Sequence, residues 1–276
     1  KIRNELLTEP KVIEQIAQWS GCVPLVMKLV VGQLDPRFDR AKLNNLLSQD
    51  LRDEGLLIFC YEGVYETCSL MQQHTLQAVA MFAHSVSTEA IAAIVGFGSG
   101  FIDEATVALQ SNSLIDYSEA GFGDRCSMLP LTRTYVRSKP FSESNVFFQR
   151  AVNYYRDFAH KYQRDFKRLE WEIDNILSIL EECISRDQDQ DIIAIVQSIS
   201  QYLGIRGMNA HRMHYAKVAI DAATKIGDES EVFWIQAFDI AWILQNRGPD
   251  EQAQAQSIYL ELIDRSSGKG EEYLKV

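Results

Sequence analysis

The run Phe148-Gln149-Arg150-Ala151-Val152-Asn153-Tyr154-Tyr155-Arg156-Asp157-Phe158-Ala159 decides how the second half of this chain folds. Phe148, Ala151, Val152, Tyr155, Phe158 and Ala159, with Tyr162 beyond them, fall at the three-and-four spacing of a single helix face. The same spacing returns in Ile173, Ile176, Leu177, Leu180 and Ile184, and again in Ile192, Ile195, Val196, Ile199 and Leu203. Later segments are built on Ala216, Ala219, Ile220 and Ala223, on Phe233, Ala237, Ile240, Ala241 and Leu244, and on Ala255, Ile258, Tyr259 and Leu262. An apolar stripe of this width must be covered by another helix, so the segments are expected to pack on one another.

Breaks at 164–168, 204–207 and 247–249 divide the six segments into three antiparallel helical hairpins. The second and third repeat a pattern, with Ile205-Arg206-Gly207 and Asn246-Arg247-Gly248 each placed between a long helix and an alanine-bearing one. The spacing from Gly207 to Gly248 exceeds the ~34 residues of a strict tetratricopeptide unit, so the array is tetratricopeptide-like with imperfect repeats. Residues 144–276 form this region. Tyr154, Tyr202, Trp234 and Trp242 fall off, or at the edge of, the main stripes and are the candidate partner-binding residues, because Tyr and Trp are frequent binding anchors.

Upstream, residues 52–143 read as three helices followed by a short β-hairpin. Leu76, Val79, Ala80 and Ala83 share a helix face, Ser87-Thr88-Glu89 starts a helix through Val95, and a third runs from about Ile102 to Gln110. Leu114 to Tyr117 and Cys126 to Leu129 are β-favouring runs around the turn-rich Glu119 to Asp124. That is the order of a winged helix. Residues 1–51 form a small helical subdomain, with helices predicted at Pro10 to Trp19, Leu25 to Leu34 and Asp39 to Leu47. Pro24 suits a helix first turn, where its missing N–H costs nothing. The segment after it is apolar on nearly every side and is expected to be buried. The fold class is therefore mainly α, with one short β-hairpin.

Composition bounds the function. With 276 residues, 46% of them hydrophobic, the chain can bury one large or two ordinary cores. No apolar run is long enough to span a bilayer. The start at Lys1-Ile2-Arg3 has neither Met nor signal-peptide character and reads as cut from a longer chain. Five cysteines without a CxxC pair suit a reducing cytoplasm. A net charge of −11 disfavours binding to phosphate backbones.

No catalytic constellation emerges. Gly96-Phe97-Gly98-Ser99-Gly100 follows a helix, whereas a dinucleotide fingerprint needs a preceding strand, and no GxxxxGK[ST] phosphate loop exists. Asp187, Asp189 and Asp191 alternate as in a calcium loop, but Ile192 stands where such a loop needs Gly and Ser198 where it needs Glu. They read instead as an acidic helix start. His211 and His214 lack a completing ligand, so no metal site is expected. The third helix of the winged region holds Asp103 and Glu104 without Lys or Arg, so DNA is an unlikely partner.

Ser20-Gly21-Cys22-Val23-Pro24-Leu25-Val26-Met27-Lys28-Leu29 resembles the GxP segment of the STAND signalling NTPases, the group that includes bacterial NB-ARC regulators. Gln77 to Phe82 resembles the opening helix of that family's winged-helix subdomain, Ala108 to Asp116 its third helix and first wing strand, and Met128 to Arg133 its exit from the wing. Trp171 to Ile176 resembles the start of the helical sensor array in bacterial members. The resemblance implies that Gly21 and Pro24 belong to an adenine-nucleotide site, with ADP or ATP bound only in an intact protein that has an upstream nucleotide-binding domain. Many members carry Met-His-Asp at the wing exit, the His reaching the nucleotide's phosphate; this chain has Met128, Leu129 and Pro130. The expected function is the non-catalytic regulatory and interaction portion of such an ATPase, with a protein ligand at the array and no membrane partner. The alternative is part of a bacterial transcription regulator that combines an NTPase, a winged helix and tetratricopeptide modules.

Overall fold

The computed structural model describes residues 10–33 and 54–267. The helix expected at Asp39 to Leu47 lies outside them. The chain is mainly α with one small antiparallel sheet, and it divides into two compact units, Lys1–Arg150 and Ala151–Val276.

In the first unit, helix α1 (Pro10–Trp19) buries Val12 and Ile16, one turn apart on its apolar face. It ends where Gly21 takes φ +60°, so that the Cys22 N–H reaches the Ala17 carbonyl at 2.9 Å and the Gly21 N–H the Gln18 carbonyl at 3.3 Å. This pair of bonds satisfies carbonyls that the helix end would otherwise orphan. Helix α2 (Pro24–Gln33) starts with Pro24 and packs against α3 (Glu54–Tyr65). Its burial is one-sided: Val26, Leu29 and Val30 are buried, while Val23 and Pro24 are exposed. The expectation that this segment is buried all round holds only for that face.

Helix α4 (Leu70–Ala80) opens with a capping box in which Ser69 and Gln72 exchange side-chain and backbone hydrogen bonds. Strand β1 (Val86–Ser87) leads into α5 (Thr88–Val95), capped by the Ser87 hydroxyl, and α6 (Ser99–Ser111) follows. Strands β2 (Asp116–Ala120) and β3 (Gly123–Ser127) form the hairpin, with Ala120 opposite Gly123. These strands lie closer to the turn than the sequence suggests, because Leu114 and Ile115 are spent filling the core before pairing begins. The two-residue β1 pairs with β3 through Val86 and Cys126, giving the order β1-β3-β2. It is too short to announce itself by alternation.

Helix α7 (Pro130–Ser138) packs against α4 and α3. Arg137 donates to the carbonyls of Ala80 at 2.7 Å and Met81 at 2.9 Å, and Arg133 to those of Ala83 and Met128 at 2.9 and 3.0 Å. The carbonyls that end α4 are thereby satisfied from a helix some fifty residues on. Arg150 does the same for α5, reaching the Val95 carbonyl at 2.7 Å. The glycine of the Gly96 turn is what admits it, since a Cβ there would lie 2.6 Å from the Arg150 guanidinium. Gly96 is thus a left-handed helix cap, not a loose connector.

Helix α8 (Ser144–Lys161) carries the chain into the second unit. There α9 (Phe166–Ser185), α10 (Asp189–Ile205) and α11 (Asn209–Ile226) follow, each packed against the next. Helix α12 (Glu229–Ile235) runs into a π-helical segment, Gln236–Ala241, and on into α13 (Trp242–Gln245); α14 (Pro249–Ser267) closes the set. The turns within the hairpins fall at 162–165, 206–208 and 246–248, each overlapping the expected break but displaced from it by one or more residues. The π-helical segment does not follow from the sequence, and it changes which residues face inward. Ile235, Asp239, Ile240, Ala241 and Ile243 are buried, whereas Phe233 and Leu244, expected on the stripe, are half-buried. Each turn with five-residue hydrogen bonding shifts the phase of a helix face relative to the 3.6-residue period.

Asp239, in that segment, is the anchor. Its Oδ1 accepts from Arg212 Nη2 at 2.7 Å and from Nε at 2.9 Å, and from the Ser200 hydroxyl, with the two charged side chains only 11% and 10% exposed. Arg212 Nε also reaches Ser200 Oγ at 2.9 Å, Nη2 reaches the Phe238 carbonyl at 3.2 Å, and the guanidinium lies 4.9 Å from the Trp242 ring centroid. Gly204 makes room, because a Cβ there would stand 2.7 Å from Arg212 Nη1. Removing one partner of a buried pair leaves an uncompensated charge, so Asp239→Ala is expected to lose about 3 to 5 kcal/mol in urea unfolding. The double variant Arg212→Met with Asp239→Leu is expected to lose less than Asp239→Ala alone, and a larger loss in the double would refute the account.

Candidate functional site

Within the first unit, α2 and the sheet region enclose a cleft of about 420 Å³ lined by Pro24, Leu25, Lys28, Gln110, Ser113, Leu114, Ile115, Asp116 and Leu129. Each wall has a local cause. Pro24 and Lys28 stand one turn apart at the start of α2, so both project to the same side. Ser113, at φ +61°, turns the chain out of α6 while the Leu114 N–H bonds the Leu109 carbonyl at 3.0 Å. That turn delivers Asp116 to the head of β2. Leu129 is the residue before α7, and with Pro130 at the helix start its side chain stays exposed. Chemically the cleft offers an apolar floor, an ammonium and a carboxylate on separate elements, and the amide of Gln110.

Of the two residues that the resemblance assigns to a nucleotide, the structure places Pro24 on the cleft wall. Gly21 is not among the lining residues. Its part is conformational, since φ +60° is a backbone state that favours glycine. Leu129 occupies the wing-exit position in the cleft and brings no hydrogen-bond donor. Helix α6 has no Lys or Arg, and Phe101 and Val107 on it are exposed.

The four array candidates separate. Tyr202 is a correction: at 3% exposure it is buried, with its ring 6.3 Å from Phe166, and it is a packing residue. Tyr154 is half-buried against Tyr155 and Phe158. Trp234 is half-buried and stacks on Phe238 at 5.2 Å, with its Nε1 buried and without a partner among the described residues. Trp242 is 45% exposed and lies over Arg212.

Trp171, Ile205 and Phe238, none of them among the array candidates, are 44%, 59% and 62% exposed. Phe238 lies in the π-helical segment and off the stripe of Phe233, Ala237, Ile240, Ala241 and Leu244. The signal for Ile205 was available, as it sits in the repeated Ile205-Arg206-Gly207 break. Arg206 pairs with Glu170, and Arg212 reaches the Phe238 carbonyl beside Gly204.

Charges of both signs stand at both ends of the hairpins, many of them paired, as Arg206 with Glu170 and Arg186 with Glu182. The turns leading from the first helix of a hairpin to the second carry exposed Lys161, Arg164, Lys167, Arg206 and Arg247. The turns between hairpins carry Glu181, Glu182, Asp187, Asp189 and Asp191, then Asp228, Glu229 and Glu231. Lys225 crosses to Asp187 at 2.7 Å and holds that carboxyl below its ordinary value. The acidic run is thus a helix start with an ion pair, and no group of three potential metal ligands is found among the described residues. His211 and His214 lie beside the Tyr215 ring.

Burial pushes the thiols of Cys60 and Cys68 up to about 11 and those of Cys126 and Cys183 up to about 12. Such thiols are protonated and shielded at neutral pH, and Cys22 is the exposed one.

Neither family models nor curated proteins match this chain. Among solved structures it is similar to a Signal Transduction ATPase with Numerous Domains (STAND) protein with a tetratricopeptide repeat sensor from Pyrococcus horikoshii, at 12% identity and a TM-score of 0.40. That likeness covers 99% of this chain, which spans 54% of the other's length. It is a distant structural similarity. No single helix among the described residues is long and apolar enough to cross a membrane; α5 and α6 together pass a length-and-composition test but are bent by 111°.

The thiol environments can be checked directly. At about pH 8, Ellman's reagent is expected to titrate a single thiol in the native chain, lost in Cys22→Ser, and all the others only after denaturation. Rapid native reaction of a second thiol would contradict the burial described.

Proposed function

We propose that this chain is the regulatory and protein-interaction portion of a STAND-type signalling ATPase, in which the cleft senses an adenine nucleotide held by an upstream domain and the helical array receives a protein ligand. The observation that carries this reading is the convergence of Pro24 and Leu129 on one cleft. They are the positions that match the family's GxP proline and wing-exit histidine, they lie far apart in sequence, and nothing in their local sequence requires them to meet. An exposed proline at the mouth of an apolar-floored cleft can lie against the flat face of a purine. The chain itself supplies no phosphate loop, so it contributes contacts to the nucleotide and no hydrolysis of its own.

In this reading the cleft closes on ADP, and a ligand that binds the array better in the open arrangement draws the equilibrium towards it, by no more than its difference in affinity for the two states. Because Leu129 cannot donate a hydrogen bond and the Lys28 ammonium shares the cleft with the Asp116 carboxylate, the cleft reads the base more than the phosphates.

The test is an NMR titration of the 276-residue chain with adenosine and with ADP, following the methyl groups of Leu25 and Leu129. Both ligands are expected to shift these signals with similar, weak affinity. Leu129→His is expected to strengthen ADP by up to about tenfold, the scale of one charge-assisted hydrogen bond, while leaving adenosine unchanged. Cleft signals that ignore both ligands, or ATP turnover by the purified chain above a buffer blank, would sink the proposal.

A further inference from the structure

We infer that the exposed side of α6, together with the β2–β3 hairpin beside it, is a docking surface for a basic protein segment in which Lys or Arg side chains are interspersed with aliphatic ones. The inference goes beyond the nucleotide reading of the cleft and does not depend on it.

Helix α6 divides lengthwise. Ile102, Ala105, Thr106 and Leu109 are buried, while Phe101, Asp103, Glu104 and Val107 are exposed on the other half of its circumference. The Phe101 ring meets that of Phe97, also exposed, edge to face with 6.5 Å between centroids, so the apolar part of this surface is a contact pair and not two isolated residues. The hairpin, whose β2 packs on α6, adds carboxylates. Its register sets Glu119 directly opposite Asp124, and like charges so placed destabilise a sheet. Asp103 acts at the same place. The Tyr117 phenol is pushed up to about 12, first by its hydrogen bond to the Asp124 carboxylate, then by desolvation and by the charges of Asp124, Asp103 and Glu119. One phenol that responds to carboxylates from α6, β2 and β3 shows that helix and hairpin form a single electrostatic surface.

These carboxylates are not neutralised from within. Between Val86 and Ser127 the sequence places six of them, Glu89, Asp103, Glu104, Asp116, Glu119 and Asp124, against one cation, Arg125. Strand alternation puts Arg125 on the opposite face from Glu119 and Asp124, where it is buried with its guanidinium on the Ser85 hydroxyl and carbonyl. Arg150, arriving from α8, is spent on the Ile94 and Val95 carbonyls. Asp103, Glu104, Glu119 and Asp124 form no ion pair among the described residues, and no group of three potential metal ligands is found among them. Carboxylates alone would name no occupant, but carboxylates beside an exposed aromatic pair do. A Lys or Arg stem lies along an apolar ring while its head reaches a carboxylate, and the cation is itself attracted to the ring face. The same potential repels an acidic segment or a phosphate backbone.

Three labelled peptides of about fourteen residues, close to the length of α6, are titrated into the whole chain and followed by fluorescence anisotropy: one of Lys and Leu, one of Glu and Leu, and one of Lys and Ser. The Lys/Leu peptide is expected to bind at least about tenfold more tightly than either of the others, and to weaken as salt is added. In NMR spectra it is expected to shift the ring signals of Phe97 and Phe101. Its affinity is expected to fall roughly tenfold in Phe101→Ser and in Asp103→Lys combined with Glu104→Lys, and to survive Glu182→Lys on the array. The altered side chains are exposed, so each variant should match the parent in circular dichroism and melting; where one misfolds, the other and the ring signals decide. The inference is overturned by equal binding of the Lys/Ser or the Glu/Leu peptide, by ring signals that do not move, by affinity that both surface variants leave unchanged or that Glu182→Lys lowers as much, or by concentration-dependent self-association that Phe101→Ser abolishes. None of these readouts involves Leu25 or Leu129, so a failure here would reject this surface and leave the ADP response of the cleft to stand or fall by itself.

Discussion

The ion pair of Arg212 and Asp239 is the constraint around which the second unit is arranged. An Arg and an Asp taken out of water are tolerated only when each finds its partners, and here the two satisfy one another and Ser200 with well-formed hydrogen bonds. The three residues come from α10, α11 and the π-helical segment, so a single network sets the register of three elements. The π-helical phase follows from it in physical terms: Asp239 must point inward to meet Arg212, and its neighbour Phe238 then turns towards solvent. One buried charge pair thereby determines both the packing of the array and the aromatic surface it displays.

The first unit uses arginine differently. Arg133, Arg137 and Arg150 each reach across to carbonyls at or just beyond a helix end, a use that a planar, multi-donor guanidinium suits better than an ammonium. These contacts join α7 to the end of α4 and the start of α8 to the end of α5. The consequence for the cleft is positional. With α7 pinned by Arg133 and Arg137, Leu129 at its start has a defined place, and the Tyr61–Thr132 hydrogen bond of 2.8 Å ties α7 to α3, against which α2 packs. Pro24 and Leu129 thus face one space through a chain of specific contacts, not through proximity in sequence.

Taken together, the two units suggest a division of labour for the proposed switch. The cleft is small and uses few charged groups, as suits a site that completes a nucleotide's surroundings without performing chemistry on it. The array is longer and is stiffened by buried polar bonds such as those from Tyr155 and Asn175 to Glu172. A rigid element of that kind can convert the binding of a ligand at its edge into a displacement elsewhere.

The sequence alone determined the mainly helical class, the positions of most breaks, the hairpin around Gly121 and Phe122, and the inward stripe of α8 to α11, because each depends on local turn chemistry or on a 3.6-residue period readable within a few turns. It also identified Pro24 and Leu129 individually as positions of interest. What it could not decide were features that depend on groups distant in the chain. The two-residue β1 exists only because β3 offers it an edge. Tyr202, at the edge of its stripe three residues after Ile199, is buried with Phe166 of α9 beside its ring. Gly96 and Gly204 leave room for the guanidinium groups of Arg150 and Arg212, which arrive from other helices. The π-helical segment arises from an aspartate that must find an arginine on another helix, and periodicity cannot register that need. A cleft is made of side chains brought together by packing, so only the tertiary structure could place Pro24 beside Leu129.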